Sequence, residues 1–264
     1  MQRWSARPLA VLSLVVAILI ANTGPVEASH AWSTYHWATT AKPFTLQLGN
    51  NMTAADWTSY LGTASSDWSA ATGGNPLRTT LVTGAGKKRC GAVSGRVEVC
   101  NGNYGQNGWL GLAQIWLSNG HIVQGTTKMN DSYFNLATYN NPNEKLHVVC
   151  QEVGHTFGLD HQSTDGSSQN TCMDYFSNTG ANAASTLSTH PNAHDYGELA
   201  LIYGHNDGYN SYTTVAAAPV LGLGGAAGAD GHGTPAGASK ARGSWYAQDL
   251  GNGRALVTHV YWAE

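Results

Sequence analysis

The sequence predicts an α+β fold. Three observations carry the prediction. Strand-type and helix-type periodicities alternate between residues 44 and 129, a long amphipathic helix follows over about 144–158, and a further helical stretch covers 194–203. Two long helices therefore have to cover a sheet, with a C-terminal helix and a hairpin beyond them.

Phe44-Thr45-Leu46-Gln47-Leu48 alternates apolar and polar residues and reads as a strand. Thr53 stands as the N-cap of a helix whose Trp57, Leu61, Ala64 and Trp68 recur on one face, which makes them core residues; Gly73-Gly74 ends it. Short strands follow over 79–83 and 96–100. A stronger strand carries Leu110, Leu112 and Ile115. Asn119-Gly120 is a hairpin turn, so residues 122–129 return antiparallel to it. In the helix over 144–158, Leu146, Cys150, Val153 and Phe157 form one apolar stripe; at about 100° per residue, Gln151 and His155 fall on another face. Gly158 can end this helix because glycine tolerates the left-handed conformation that turns the chain. In the last helix Tyr196, Leu199 and Tyr203 face inward and Gly204 is the stop.

The ends of the chain read differently. Arg3 and Arg7, the apolar run from Leu9 to Ala21, and Val26-Glu27-Ala28 have the order of a secretory signal peptide covering 1–28. The run is shorter than the ~20 residues of a membrane span, so a secreted, extracellular chain is expected, with no membrane association after cleavage. The main domain then spans 29–212, a Gly/Ala-rich linker 213–243, and a β-hairpin 244–264. An isolated hairpin is marginal in water, so this one should dock on the main domain or on a partner. With 13 Lys and Arg against 16 Asp and Glu, and no cationic cluster, a nucleic-acid footprint is excluded, and a monomer is expected.

Four cysteines allow three pairings. In an oxidising compartment, Cys90 and Cys100 can close a short Gly-containing segment, and Cys150 and Cys172 can tie the long helix to a later loop. A Cys-His zinc cluster competes with this reading, but no C-x-x-C pair is present.

The chemistry concentrates in residues 151–161. Glu152, His155, Gly158 and His161 keep the spacing of H-E-x-x-H-x-x-G-x-x-H, in which two histidines one helical turn apart and a third beyond a glycine share a zinc and the glutamate is general base. Gln151 replaces the first histidine. Its amide oxygen lies ~6 Å along the axis from His155, within reach of a shared metal, yet it is a weaker zinc donor than imidazole. Ligand and plain polar cleft residue both remain open for it. His147 is ~12 Å along the axis from His155 and cannot share the ion through bonds of ~2.0–2.1 Å.

These residues resemble the zinc site of the metzincin metalloproteases. Thr171-Cys172-Met173-Asp174-Tyr175 is similar to their methionine turn, and in astacin-like and serralysin-like members a tyrosine placed like Tyr175 ligates the zinc. The order of elements over Ala31 to Tyr212 resembles a matrixin-like catalytic domain. The resemblance implies a metzincin-like (zincin) fold, a twisted mostly parallel sheet with an antiparallel edge strand. It implies zinc as cofactor, with His155, His161, Tyr175 and Gln151 as its candidate donors and Met173 as an apolar floor. Glu152 would be the general base, and Tyr175 a hydrogen-bond donor to the reacting group. Structural calcium stays open but without support: Asp131, Asp160 and Asp165 are loop carboxylates with no recognisable calcium pattern.

The functional expectation is a secreted zinc endopeptidase acting on protein or peptide substrates, with the strand Leu110 to Leu117 as the edge on which an extended peptide adds. The alternative is a secreted, catalytically inactive metzincin-like binding protein that has lost full zinc coordination at Gln151. A third reading makes the hairpin Ser244 to Glu264 a surface-attachment module.

Overall fold

The computed structural model describes Met1 and residues 29–213, 234–238 and 243–263. Residues 2–28 of the expected signal peptide and 214–233 of the expected linker lie outside them. The elements are β1 (His36–Trp37), β2 (Phe44–Asn51), α1 (Ala55–Trp68), β3 (Leu77–Thr83), β4 (Val97–Gly102), β5 (Trp109–Ser118), β6 (His121–Asn130), α2 (Asp131–Phe134), α3 (Pro142–His155), α4 (Ala193–Ile202), β7 (Thr234–Ala238), β8 (Gly243–Gly251) and β9 (Arg254–Trp262). The strand β7 falls inside the stretch read as linker.

Helices and one mixed sheet make up the described residues. The strand order is β3-β2-β4-β6-β5-β9-β8-β7, with β1 beside β6. The pairings of β2 with β3 and β4, and of β6 with β4 and β1, are parallel. From β6 through β5, β9 and β8 to β7 every pairing is antiparallel. The sheet is mixed, as expected, but its antiparallel part is larger than the single edge strand the sequence suggested. The hairpin β8–β9 accounts for the difference. It docks on the sheet, and β9 pairs with β5 from Trp109↔Trp262 to Ser118↔Arg254, so β5 is an interior strand. Val257 and Tyr261 of β9 are buried by this docking, which supplies the apolar burial an isolated hairpin lacks.

Local sequence explains most boundaries. Asn119 and Gly120 both have positive φ, 49° and 86°, the geometry of the tight turn that joins β5 to β6. Trp57, Leu61, Ala64 and Trp68 of α1 are buried, and Trp68 Nε1 donates to the Cys150 carbonyl of α3 at 3.1 Å. Thr53 is not a cap. The N-cap is Ala54, without a side-chain bond, while the Thr53 N–H donates to Asn101 Oδ1 at 2.8 Å. The helix also stops before Gly73-Gly74, because Asn75 Nδ2 donates to the Trp68 carbonyl at 2.9 Å and satisfies it outside the helix.

Asn141 caps α3 by accepting from the Glu144 N–H at 2.9 Å, with Pro142 in the first turn, where its missing N–H costs nothing. The helix ends at His155, three residues before Gly158. Leu146 is not among its buried residues, whereas Val148 and Val149 are. Both expected disulfides are present, Cys90–Cys100 and Cys150–Cys172.

Candidate metal centre

The end of α3, the turn after it and the C-terminal strand bring three imidazoles together. His155 lies in the last turn of α3, and Gly158 reverses the chain with φ +98°. A Cβ at position 158 would run into the Tyr35 carbonyl, so glycine is required both by conformation and by this close approach. His161 then returns over His155, with ring centroids 4.6 Å apart. The third imidazole is His259 of β9, 4.2 Å from the His155 ring and 4.8 Å from the His161 ring. One ligand-type atom from each of the three lies within 4.8 Å of the other two.

Each ring is held through Nδ1. His155 Nδ1 donates to the Leu159 carbonyl at 2.9 Å, His161 Nδ1 meets Asp160 Oδ1 at 3.1 Å, and His259 Nδ1 meets Glu152 Oε2 at 3.2 Å. The three Nε2 atoms are buried and make no hydrogen bond among the described residues. Burial pushes all three imidazoles below their ordinary range, His161 to about 4 and His259 to about 3, and His155 well down. They are neutral near pH 7, with lone pairs on the free nitrogens, which is the ligating form. A divalent transition metal with nitrogen-donor preference, zinc above all, fits this donor set.

Glu152 sits against the triad. It is buried, and Oε1 has no hydrogen-bond partner among the described residues. Burial raises its carboxyl well above the ordinary range, and the nearby His161 and His147 pull it back in part. Space for this side chain comes from Gly111 of β5, where a Cβ would lie 2.7 Å from Glu152 Oε1 and 2.6 Å from a Val148 methyl. Asp160 accepts from the His161 N–H at 2.7 Å and from Trp245 Nε1 at 3.0 Å. Burial raises its carboxyl, but the bonds and charge of His161 more than offset this, so it stays below its ordinary range.

The other residues singled out in the sequence have definite places. Gln151 Nε2 donates to the carbonyls of Cys172 and Asp174, both at 2.8 Å, and so straps α3 to the turn around Met173. Its Oε1 is buried without a hydrogen-bond partner among the described residues. Met173 is buried beneath α3; a Cβ on Gly154 would lie 2.6 Å from its sulfur. The Tyr175 ring is 4.3 Å from that of His161. A Cβ on Gly243 of β8 would collide with both the Tyr175 hydroxyl and His259 Nε2. His147 is buried and contacts Asn178 Oδ1 at 3.1 Å, apart from the triad.

The sequence reading missed His259. Its signal is the strand alternation: Val257, His259 and Tyr261 share one buried face of β9, and a lone imidazole on an apolar face needs a partner. Sequence alone could not say that this face meets α3. The reading of β5 as a peptide-accepting edge is overturned, since β6 and β9 occupy both of its sides. Trp245 of β8 closes the site from outside, with its ring 3.7 Å from Trp32 and 4.8 Å from His155.

No protein-family model matches the chain, and no curated protein matches it. Among solved structures it is similar to one described as "Structure of myroilysin", at 12% identity, covering 67% of this chain and 98% of that one, with a TM-score of 0.39. A likeness that low carries no weight for fold or activity.

Proposed function

We propose that this protein is a secreted zinc-dependent peptidase of metzincin type in which His155, His161 and His259 hold the metal. The observation that carries the reading is the convergence of three buried imidazoles, one ring nitrogen of each within 4.8 Å of the others and each Nε2 without a hydrogen bond among the described residues, beside the buried carboxyl group of Glu152. In this reading His259 takes the place left by Gln151, whose amide nitrogen serves the methionine turn instead. When bound, zinc supplies Lewis acidity and lowers the pKa of water in the site to about 7.

The chain's own residues do the rest. Glu152, poised by its burial to accept a proton, takes one from the attacking water and passes it to the leaving amine. The Tyr175 hydroxyl, beside His259, donates to the oxygen on which charge develops. Asp160 orients His161. Two disulfides fit an oxidising compartment, and no helix among the described residues is long and apolar enough to cross a membrane.

One observation favours a second reading. β9 covers β5, and Trp245 packs on Trp32 over the triad, so a peptide reaches the site only if the Trp245 end of the hairpin swings out. If it does not, the metal is structural, pinning the C-terminal strand to α3, and the protein is a non-catalytic binding protein. The test is cleavage of an unfolded protein by the zinc-loaded chain, alongside Glu152→Gln and a chelator control. Cleavage abolished in both controls supports the peptidase. A folded, zinc-loaded parent that cleaves nothing supports the structural reading.

A further inference from the structure

A second group of imidazoles lies where the N-terminal arm, residues 29–39, meets the chain leaving α4. His36 of β1 and His121 of β6 are register partners in the sheet, with ring centroids 4.8 Å apart. His205 and Asp207 follow α4, and the Asp207 N–H donates to the Thr39 carbonyl at 2.7 Å, which fixes this turn against the arm. Three Nε2 atoms converge on one carboxylate oxygen. Asp207 Oδ1 is 3.5 Å from His36, 3.2 Å from His121 and 3.4 Å from His205. His36 Nε2 and His205 Nε2 are 3.2 Å apart.

Hydrogen bonds account poorly for this cluster. N–H···O distances in proteins span about 2.7–3.2 Å, so His121 makes an ordinary hydrogen bond to Asp207 Oδ1, whereas the His36 and His205 contacts lie beyond that range. His36 Nδ1 donates to the Thr34 carbonyl at 2.7 Å, so in the neutral ring Nε2 is a lone pair, facing both a carboxylate oxygen and a second imidazole. Donors ~2.0–2.1 Å from a tetrahedral ion stand about 3.3 Å from one another, which is the spacing found among His36 Nε2, His205 Nε2 and Asp207 Oδ1. The remaining nitrogens and oxygens are tied as ligands usually are. Asp207 Oδ2 accepts from the Thr39 N–H at 2.8 Å, and His121, the hydrogen-bond partner of Asp207 Oδ1, is itself held by the Tyr209 hydroxyl at 3.2 Å. A cavity of about 310 Å³ opens beside His36 and His205, giving an ion a path in.

We propose that His36, His205 and Asp207 form a second transition-metal site, for a divalent ion of the zinc class, that fastens the N-terminal arm to the chain leaving α4. The arm leads directly to the candidate metal centre. Trp37 Nε1 donates to the Thr156 carbonyl at 2.8 Å, and the Trp32 N–H to the Gly158 carbonyl at 2.6 Å. An ion here would brace the turn that carries His161. This inference does not depend on the peptidase reading.

The experiment is titration of the metal-free full chain with Zn²⁺ by calorimetry and with Co²⁺ by visible absorption. The variants are His205→Ala, whose side chain is more than half exposed and can be removed without disturbing the core, the double variant His205→Ala/Asp207→Asn, and His259→Ala at the buried triad. The parent is expected to take up two equivalents. The double variant should lose one together with its share of the Co²⁺ bands, while His259→Ala should lose the other. If the parent takes up only one equivalent and the double variant loses it, this proposal stands and the buried centre is not a metal site. If both His205→Ala and the double variant bind as many equivalents as the parent, with the same affinities and Co²⁺ spectrum, the proposal is overturned. Circular dichroism establishes that the variants compared are folded.

Discussion

Glu152 Oε2 and His259 Nδ1 stand 3.2 Å apart in a buried contact that joins residues 107 positions apart in the chain. The contact sets the orientation of the His259 ring and ties the hairpin to α3. In the proposed site it makes the base and the third donor a single unit. His259→Ala is therefore expected to lose zinc from the buried centre and to abolish cleavage, whereas Glu152→Gln should keep the metal and lose only cleavage. Metal content by atomic absorption, measured beside proteolysis, separates the two. A His259→Ala protein that still cleaves would place the third donor elsewhere.

Gly111 makes room for the base. Its Cβ position lies within 2.9 Å of Glu152 side-chain atoms, so Gly111→Ala must displace that carboxylate or the strand. Overpacking of this kind costs about 1–3 kcal/mol. The expected outcome is a folded protein with a lower denaturant midpoint and a large drop in activity. A variant as active as the parent would show that Glu152 is free to move without consequence.

Trp245 shields the triad from solvent together with Trp32. Trp245→Ala is expected to speed removal of zinc by a chelator and, if peptides enter past this residue, to raise the cleavage rate. Stopped-flow chelation reads the first and a quenched peptide the second. Chelation at an unchanged rate would mean that Trp245 does not control access.

The Cys150–Cys172 bridge joins α3 to the loop that carries Met173. In the chain-entropy model its removal by Cys150→Ala/Cys172→Ala costs about 3 kcal/mol. Urea unfolding of metal-free protein measures this, and the loss should exceed that from any single surface substitution.

Acid should weaken the metal-free protein. The folded pKa values of His161, about 4, and His259, about 3, lie below the unfolded value of 6.5, and that of His155 is also well below it. Their contribution is complete above about pH 6.5 and is lost as the pH falls through about 4 for His161 and about 3 for His259, because the unfolded chain binds more protons in that range. Glu152, raised by burial, acts in the opposite sense: its contribution is present at low pH and is lost as the pH rises through its raised pKa. With three imidazoles against one carboxyl, the urea midpoint at about pH 5 should lie below that at about pH 7. An equal or higher midpoint at the lower pH would contradict these burial assignments.

Much of the fold was legible because it rests on local pattern. The one-sided tryptophans of α1, the Asn119-Gly120 turn, the β8–β9 hairpin and the two cysteine pairs each follow from residue spacing and backbone preference over a short stretch. The meeting of His155 and His161 was legible for the same reason, since a helix end and a glycine turn lie between them. Only the tertiary structure decided that β9 covers β5, that His259 faces Glu152, and that His36, His121 and His205 converge on Asp207. Local periodicity tells which face of a strand is apolar. It does not tell which distant element that face will meet, because sheet partners are chosen by burial summed over the whole chain.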